Sequence, residues 1–163
     1  MSKIWNVNIL LCRNANKEVS NIEDIFDTLI IDKEHKKANF TIVTILNSIE
    51  SDEETFTLYY FIECIGKTEN KVLYLFNSVI SRYEGDCEKN LSSLCGISQK
   101  NSKMPIKNCF FPEEGSYEIK VYKYDGKQDT IRNSNGIVST EEMLRYADVQ
   151  HLVSVYPFRV QFE

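Results

Sequence analysis

The feature that most constrains this chain is the recurrence of apolar residues at every second position, in runs rich in β-branched and aromatic residues. The strongest example is TFTLYYFIECIG at 55–66, which four turn residues separate from KVLYLFNSVISR at 71–82. Two such runs joined by so short a turn predict a β-hairpin. Similar runs at 4–12, 38–48 and 151–163 indicate further strands, so the chain is predicted to be mainly β.

Turn signals separate about seven or eight such runs, and only one or two short helices are indicated. A helix is predicted at 140–148, where Ser139 and Glu142 form a capping box. The segment 22–31 fits both helical spacing and an irregular strand, with a strand favoured at 27–31. This pattern predicts a two-sheet antiparallel immunoglobulin-like sandwich.

The whole chain, 1–163, is predicted to be a single β-sandwich domain, because it is long enough for one core and no linker divides it. Residues 83–104 are polar and without a period, which predicts a long loop or insertion. Such a loop is either a working surface or a disordered crossover between sheets. The runs 105–111 and 116–124 are predicted to form a second hairpin-like pair.

Charge and composition narrow the classes of partner and compartment. A formal net charge of −5 without a basic stripe disfavours nucleic-acid binding. No window reaches about 18 apolar residues, and the N-terminal run is too short for a signal peptide, so no membrane contact is expected. The odd count of five cysteines without a C-x-x-C motif predicts a reducing, cytoplasmic setting. The abundance of Ile, Asn and Lys points by association to an AT-rich bacterium or its phage.

Motifs for catalysis and metal binding are weak throughout. His35 lies in a charged turn and His151 begins the last run, and neither has a neighbouring nucleophile motif. The cysteines lack the short paired spacing of structural zinc sites. The acidic run ESDEE lacks the alternating Asp/Asn and the Gly of a calcium loop. We therefore predict no catalytic residue, no metal site and no cofactor.

Aromatic residues are the main resource for binding, with nine Phe, nine Tyr and one Trp. If Tyr60 faces the core, alternation turns Tyr59 outward, and it sets Tyr122 and Tyr124 beside Lys120. Strand tyrosines are ordinary cross-strand partners, but they also suit protein interfaces. Tyr59, Lys120, Tyr122 and Tyr124 are the candidate partner-binding residues.

The stretch FFPEEGSY at 110–117 has the pattern of a corner before a strand: an acidic turn, Gly115, one residue and Tyr117. In immunoglobulin-like sandwiches a tyrosine at this corner hydrogen-bonds to upstream backbone, so both residues are predicted to be structural. Ile119 stands where an antibody domain has its second Cys, which argues against that class. The pattern F-x-P-x-x-G-x-Y also resembles uncharacterised bacterial β-sandwich proteins of the DUF6941 type, over roughly residues 1–125. That resemblance implies a sandwich and no activity.

The sequence therefore predicts a non-enzymatic binding or accessory domain that contacts a protein partner or a second copy of itself. One alternative is a small-molecule-binding protein or hydrolase with a pocket at one end of the sandwich, using His151, Glu142 or carboxylates at 83–88. Another is a component of a phage or of an anti-phage defence system.

Overall fold

A computed structural model describes residues 4–16, 19, 21–49, 55–66, 70–81, 97–125 and 148–163. Nine strands lie in these ranges: β1 (Ile4–Ala15), β2 (Ile22–Phe26), β3 (Thr28–Ile31), β4 (Lys37–Ile49), β5 (Thr55–Ile65), β6 (Asn70–Ser81), β7 (Ile97–Phe110), β8 (Gly115–Asp125) and β9 (Leu152–Phe162). One turn of 3-10 helix, Val149–His151, precedes β9. The capped helix predicted at 140–148 lies outside the described residues except for its last position.

The strands form two sheets, in the orders β2-β1-β4-β7 and β3-β9-β8-β5-β6. The predicted two-sheet sandwich is therefore confirmed. The described strands number nine rather than seven or eight, because the ambiguous segment 22–31 forms two of them. Its strand interpretation at 27–31 is confirmed by β3.

The sandwich is not wholly antiparallel, which corrects the prediction. β3 runs parallel to β9, from Thr28 opposite Arg159 to Ile31 opposite Phe162. The reason lies at Asp27, where the chain leaves β2 in one sheet and enters the other as β3 without reversing. The Asp27 carbonyl accepts the Arg159 N–H at 2.9 Å and so starts the parallel ladder.

The hairpin predicted from 55–66 and 71–82 is confirmed as β5 and β6. The two strands pair from Thr55 opposite Ser81 to Ile65 opposite Asn70, with one irregularity beside Ile62.

The second predicted hairpin is wrong. β7 pairs with β4 in the four-stranded sheet, whereas β8 pairs with β5 and β9 in the other. The connection between them, 111–114, crosses between sheets instead of reversing within one. The Phe111 N–H donates to the Lys36 carbonyl at 2.8 Å, which fixes this crossing against the turn before β4.

The predicted loop at 83–104 is also corrected, because β7 already begins at Ile97. Its polar first half pairs with β4, from Ile97 opposite Ile49 to Pro105 opposite Thr41. Among the described strands β7 pairs with β4 alone. The ladder is made of backbone hydrogen bonds, so it does not require apolar alternation of the side chains. Residues 83–96 lie outside the described part of the chain.

The main core lies between the sheets and draws on both. Its largest fully buried members include Phe40, Tyr60, Phe111 and Tyr117. A smaller cluster, Cys12, Ala15, Val19 and Val43, lies on the outer face of the four-stranded sheet. Three cysteines among the described residues are buried: Cys12, Cys64 and Cys109. No helix of the described residues is long and apolar enough to cross a membrane.

Candidate functional site

The structure brings all four candidate partner-binding residues together on one face of the five-stranded sheet. They belong to a group of eight residues on this face, which we call the outer ladder: Thr57, Tyr59, Phe61 and Glu63 of β5, and Glu118, Lys120, Tyr122 and Tyr124 of β8. Each β5 member lies directly opposite a β8 member, from Thr57 opposite Tyr124 to Glu63 opposite Glu118.

Contacts in the outer ladder run along its diagonals, as the twist of a sheet favours. The rings of Tyr59 and Tyr124 meet edge to face with centroids 5.6 Å apart, and those of Phe61 and Tyr122 do so at 5.1 Å. Edge-to-face pairs of this kind contribute about 0.5–1.5 kcal/mol beyond their burial. The ladder is therefore a packed structure in its own right.

Burial changes the role of two of the predicted binding residues. Tyr59 is 0% exposed and Tyr122 is 6% exposed, although both lie on the outer face of the sheet. Alternation along a strand fixes which face a side chain lies on, but it does not decide whether that face meets solvent. Neither tyrosine offers a free surface to a partner.

Lys120 closes one end of the outer ladder through an ion pair. Its Nζ lies 2.7 Å from Glu63 Oε2 and 3.9 Å from Glu118 Oε2. The contact with Glu63 is an ion pair between two partly buried side chains. Burial alone lowers the pKa of Lys120, but the contact and charge of Glu63 outweigh it and the pKa is raised. An amine held protonated in this way anchors the sheet and is unsuited to act as a general base.

His151 is held against the end of the outer ladder. Its ring stacks on Tyr124 with centroids 4.1 Å apart, and Nδ1 lies 2.9 Å from the Lys123 carbonyl. A carbonyl only accepts, so Nδ1 carries the proton and donates it. These contacts hold the His151 ring in place at the end of the ladder. The hydrolase alternative also invoked Glu142 and 83–88, which lie outside the described residues.

The corner before β8 has the contact that defines a tyrosine corner. The Tyr117 hydroxyl donates to the Glu113 carbonyl at 2.5 Å, and its ring packs between Phe111 and Phe158. Burial is the main reason that the pKa of Tyr117 is raised, with the Cys64 thiol adding to it. Gly115 has a φ of +138°, a conformation that side chains rarely adopt. The hydroxyl contact and the aromatic packing of Tyr117 therefore fix the crossing of the chain between the two sheets.

The turn before β4 groups three metal-ligand types at the surface. Ligand atoms of Asp32, Glu34 and His35 lie within 4.8 Å of one another, and all three residues are exposed. Asp32 accepts the Glu34 N–H at 2.6 Å and lies 3.2 Å from His35 Nδ1. These hydrogen bonds lower the pKa of Asp32. They account for the grouping, so we assign no metal to it.

A depression of about 330 Å³ lies at one end of the five-stranded sheet. Its floor is formed by Tyr117 and Phe158, and its polar rim includes Ser116, Glu118 and Arg159. The lining comes from separate strands, including β3, β8 and β9. The alternative drawn from the sequence places a pocket at one end of the sandwich but names other residues, because no contiguous motif encodes the lining of this depression.

The edges of the two sheets differ in how they are protected. Among the described strands the edges are β2, β3, β6 and β7. β2 and β3 have only five and four residues. β7 is long, but it contains Lys100, Lys103, Lys107 and Pro105, and its register with β4 is broken once. Short length, lysines, proline and bulges are the devices by which proteins keep edges from pairing.

β6 is the described edge strand that lacks these devices over most of its length. It has twelve residues, and no charged residue or proline occurs between Val72 and Ser81. Among the described strands it pairs with β5 alone, and an edge position of this kind is a template for strand addition. The sequence predicts the hairpin of β5 and β6. Only the strand order shows that β6 is an edge strand of the five-stranded sheet among the described strands.

Comparison with known proteins adds little to this geometry. No family model matches the chain, and no curated protein matches it. Among solved structures, it is similar to the CARDB domain of the PF1109 protein from Pyrococcus furiosus, which is in complex with di-metal ions. The two are 9% identical over 99% of this chain and 89% of that chain, with a TM-score of 0.40. So low a score supports no argument, and the sandwich assignment rests on the chain's own strands.

Proposed function

We propose that this chain is a non-enzymatic protein-binding domain that takes up an extended segment of a protein along β6. The observation that supports the proposal is the contrast between β6 and the three other described edges. An added strand satisfies the backbone groups along an edge, and main-chain hydrogen bonds then supply much of the affinity.

The outer ladder supports this edge without being the docking surface. β5 lies between β6 and β8, and its outer residues Thr57, Tyr59 and Phe61 are buried. The neighbour that holds β6 is therefore packed on both faces and rigid. A rigid edge loses less conformational entropy when a partner strand is added.

The test is capture of a protein partner by the wild type, by Asn77→Lys on β6 and by the matched control Asn101→Lys on β7. We expect the wild type and the control to capture the same partner and Asn77→Lys to lose it, because edge lysines oppose strand addition. Hydrogen exchange on the complex should show new protection of β6 amides. A partner that binds all three proteins equally would contradict the proposal.

A second candidate function is small-molecule binding in the depression at the end of the five-stranded sheet. It is favoured by the polar rim of Ser116, Glu118 and Arg159 over an aromatic floor. A thermal-shift screen of metabolites and nucleotides tests it, because a ligand of the native state raises apparent stability. A hit should be weakened by Arg159→Gln, and a screen without hits would count against this candidate.

For the setting, we propose the reducing cytoplasm of an AT-rich bacterium or a phage-infected cell. The odd count of cysteines, the absence of a C-x-x-C motif and the composition support this. Gene neighbourhood tests it, and neighbours belonging to phage or to anti-phage defence would favour that role.

A further inference from the structure

We infer that the protein taken up along β6 is a second copy of this chain, paired antiparallel about a two-fold axis. This inference rests on the proposed function and names its partner. Self-pairing of the edge joins two five-stranded sheets into one continuous sheet of ten strands. An antiparallel pair of identical strands is closed by its symmetry, so association stops at the dimer.

The charge pattern of β6 permits self-pairing. When a strand pairs with its own copy, its charged residues are brought near the same residues of the second copy. Like charges directly opposite one another are destabilising. β6 contains no charged residue from Val72 to Ser81, so nothing in this stretch repels its copy. The edge strand β7 carries three lysines and would be repelled by its own copy.

The position of the two-fold axis follows from strand geometry. Along an antiparallel strand, successive backbone N–H and C=O groups point alternately to either side. Only every second residue of β6 points away from β5, and such residues must face one another in the dimer. Facing residues therefore differ by an even number, and the axis passes through a residue rather than between two.

The irregularity in the hairpin limits the usable segment. Tyr74 lies opposite Ile62 whereas Val72 lies opposite Glu63, which makes Leu73 an extra residue. The alternation is thus continuous only over Tyr74–Ser81. The axes that keep most of this segment paired pass through Asn77 or Ser78.

The residue pattern selects the axis through Asn77. In that register Tyr74 faces Ile80, Leu75 faces Val79 and Phe76 faces Ser78, so two of the three pairs on each side of the axis are apolar. The axis through Ser78 leaves one apolar pair, Phe76 with Ile80, and sets Leu75 against Ser81 and Asn77 against Val79. The preferred register sets Asn77 directly opposite Asn77 of the second copy.

The experiment is light scattering coupled to size exclusion over about a hundredfold range of concentration, since mass action favours the dimer as concentration rises. We expect the wild-type mass to approach twice the chain mass of 19.0 kDa. Asn77→Lys and Asn77→Asp, each alone, should weaken the dimer by about fivefold or more, because like charges then lie opposite. An equimolar mixture of the two variants should associate again as a heterodimer, because opposite charges then face across the axis.

Asn101→Lys on β7 is the matched control and should leave the dimer intact, and circular dichroism on each variant checks that it is folded. A wild type that keeps a mass of 19.0 kDa at every concentration overturns the inference. A dimer that Asn77→Lys leaves intact, or a mixture that fails to associate, overturns it as well. A monomeric wild type whose β6 still captures another protein would end this inference and leave the proposed function standing.

Discussion

At the scale of single residues, two buried tyrosine hydroxyl groups fix how the two sheets are arranged. The Tyr117 hydroxyl fixes the corner between the two sheets at Glu113. Tyr60 reaches across the core, where its hydroxyl lies 2.7 Å from Thr44 Oγ1 on the opposite sheet. Both side chains are 0% exposed, so each hydroxyl must find its hydrogen-bond partner within the protein.

Tyr117→Phe should lower the free energy of unfolding by about 1 kcal/mol, the typical net contribution of one hydrogen bond. The ring and its contacts with Phe111 and Phe158 stay in place, so binding along β6 should be unchanged. Urea unfolding measures the loss, with Tyr122→Phe as a control that removes a hydroxyl from the outer ladder and should cost less. Lost binding at unchanged stability would show that the corner is itself a binding site.

Tyr60→Phe should lower the free energy of unfolding by about 1–2 kcal/mol at neutral pH, because the Thr44 hydroxyl loses its partner on Tyr60. Burial raises the pKa of Tyr60 from 10.0 to about 12, against a smaller opposing effect of the Thr44 contact. A tyrosine with a raised folded pKa contributes stability that is present below the unfolded pKa and is lost as pH rises. The wild type should therefore lose stability between pH 10 and 12. Across that range the free energy of unfolding should fall less steeply with pH for Tyr60→Phe than for the wild type. An equal pH dependence of the two proteins would contradict this.

At the scale of elements, the outer ladder shows how a sheet can be stabilised on the face away from the main core. The diagonal contacts between β5 and β8 end in the ion pair of Lys120 with Glu63. The side chains of this pair are 24% and 12% exposed, so each charge has lost much of its hydration. A partly buried pair depends on both partners being present.

Lys120→Met should destabilise the domain by roughly 1–3 kcal/mol, because the Glu63 carboxylate then lacks its counter-ion. Glu63→Met should act similarly by leaving the ammonium group without its closest partner. The double variant should be more stable than the sum of the two losses predicts, since no unpaired charge is left. Denaturant unfolding of the four proteins in a double-mutant cycle checks this, and strict additivity would rule out the coupling.

The sequence predicts strands better than it predicts their neighbours. The hairpin of β5 and β6 is encoded locally by two runs and a short turn, and the corner is encoded by the spacing from Phe110 to Tyr117. The parallel pair of β3 and β9 joins residues 28–31 to 159–162, and no local pattern specifies it. The burial of Tyr59 escaped prediction for a similar reason, because alternation assigns a face and leaves its cover undetermined.

At the scale of the whole molecule, the buried cysteines report on global opening. Cys12 and Cys109 are 0% exposed and Cys64 is 4% exposed. Burial also raises the pKa of the Cys12 thiol, which lowers its thiolate fraction and its reactivity.

In a variant with Cys87→Ser and Cys95→Ser, which removes the two cysteines outside the described residues, the remaining thiols should resist labelling under native conditions. They should react only as fast as the fold opens, so the labelling rate should rise with urea together with loss of structure. Mass spectrometry counts the labelled sites. Rapid labelling of one cysteine without urea would show that its part of the core opens independently.

The depression and the β6 edge are also properties of the whole molecule. Ser116 and Arg159 of the depression are far apart in the sequence, and the pairing of β8 with β9 in the folded sheet brings them together. The edge position of β6 among the described strands likewise follows from the order of the five-stranded sheet. A feature that depends on sheet order is therefore hidden from any local pattern.

The place of β9 in the five-stranded sheet has a consequence for synthesis on the ribosome. β9 is the last of the described strands to be made, yet it lies between β3 and β8. Until Phe162 has left the ribosomal tunnel, β3 has no ladder partner among the described strands, and β8 lacks one of its two. Contacts this distant in sequence also form slowly, because a long loop must close first. The nascent chain therefore holds these strands without their partner until β9 emerges, and contact with a chaperone would be of most use in that interval.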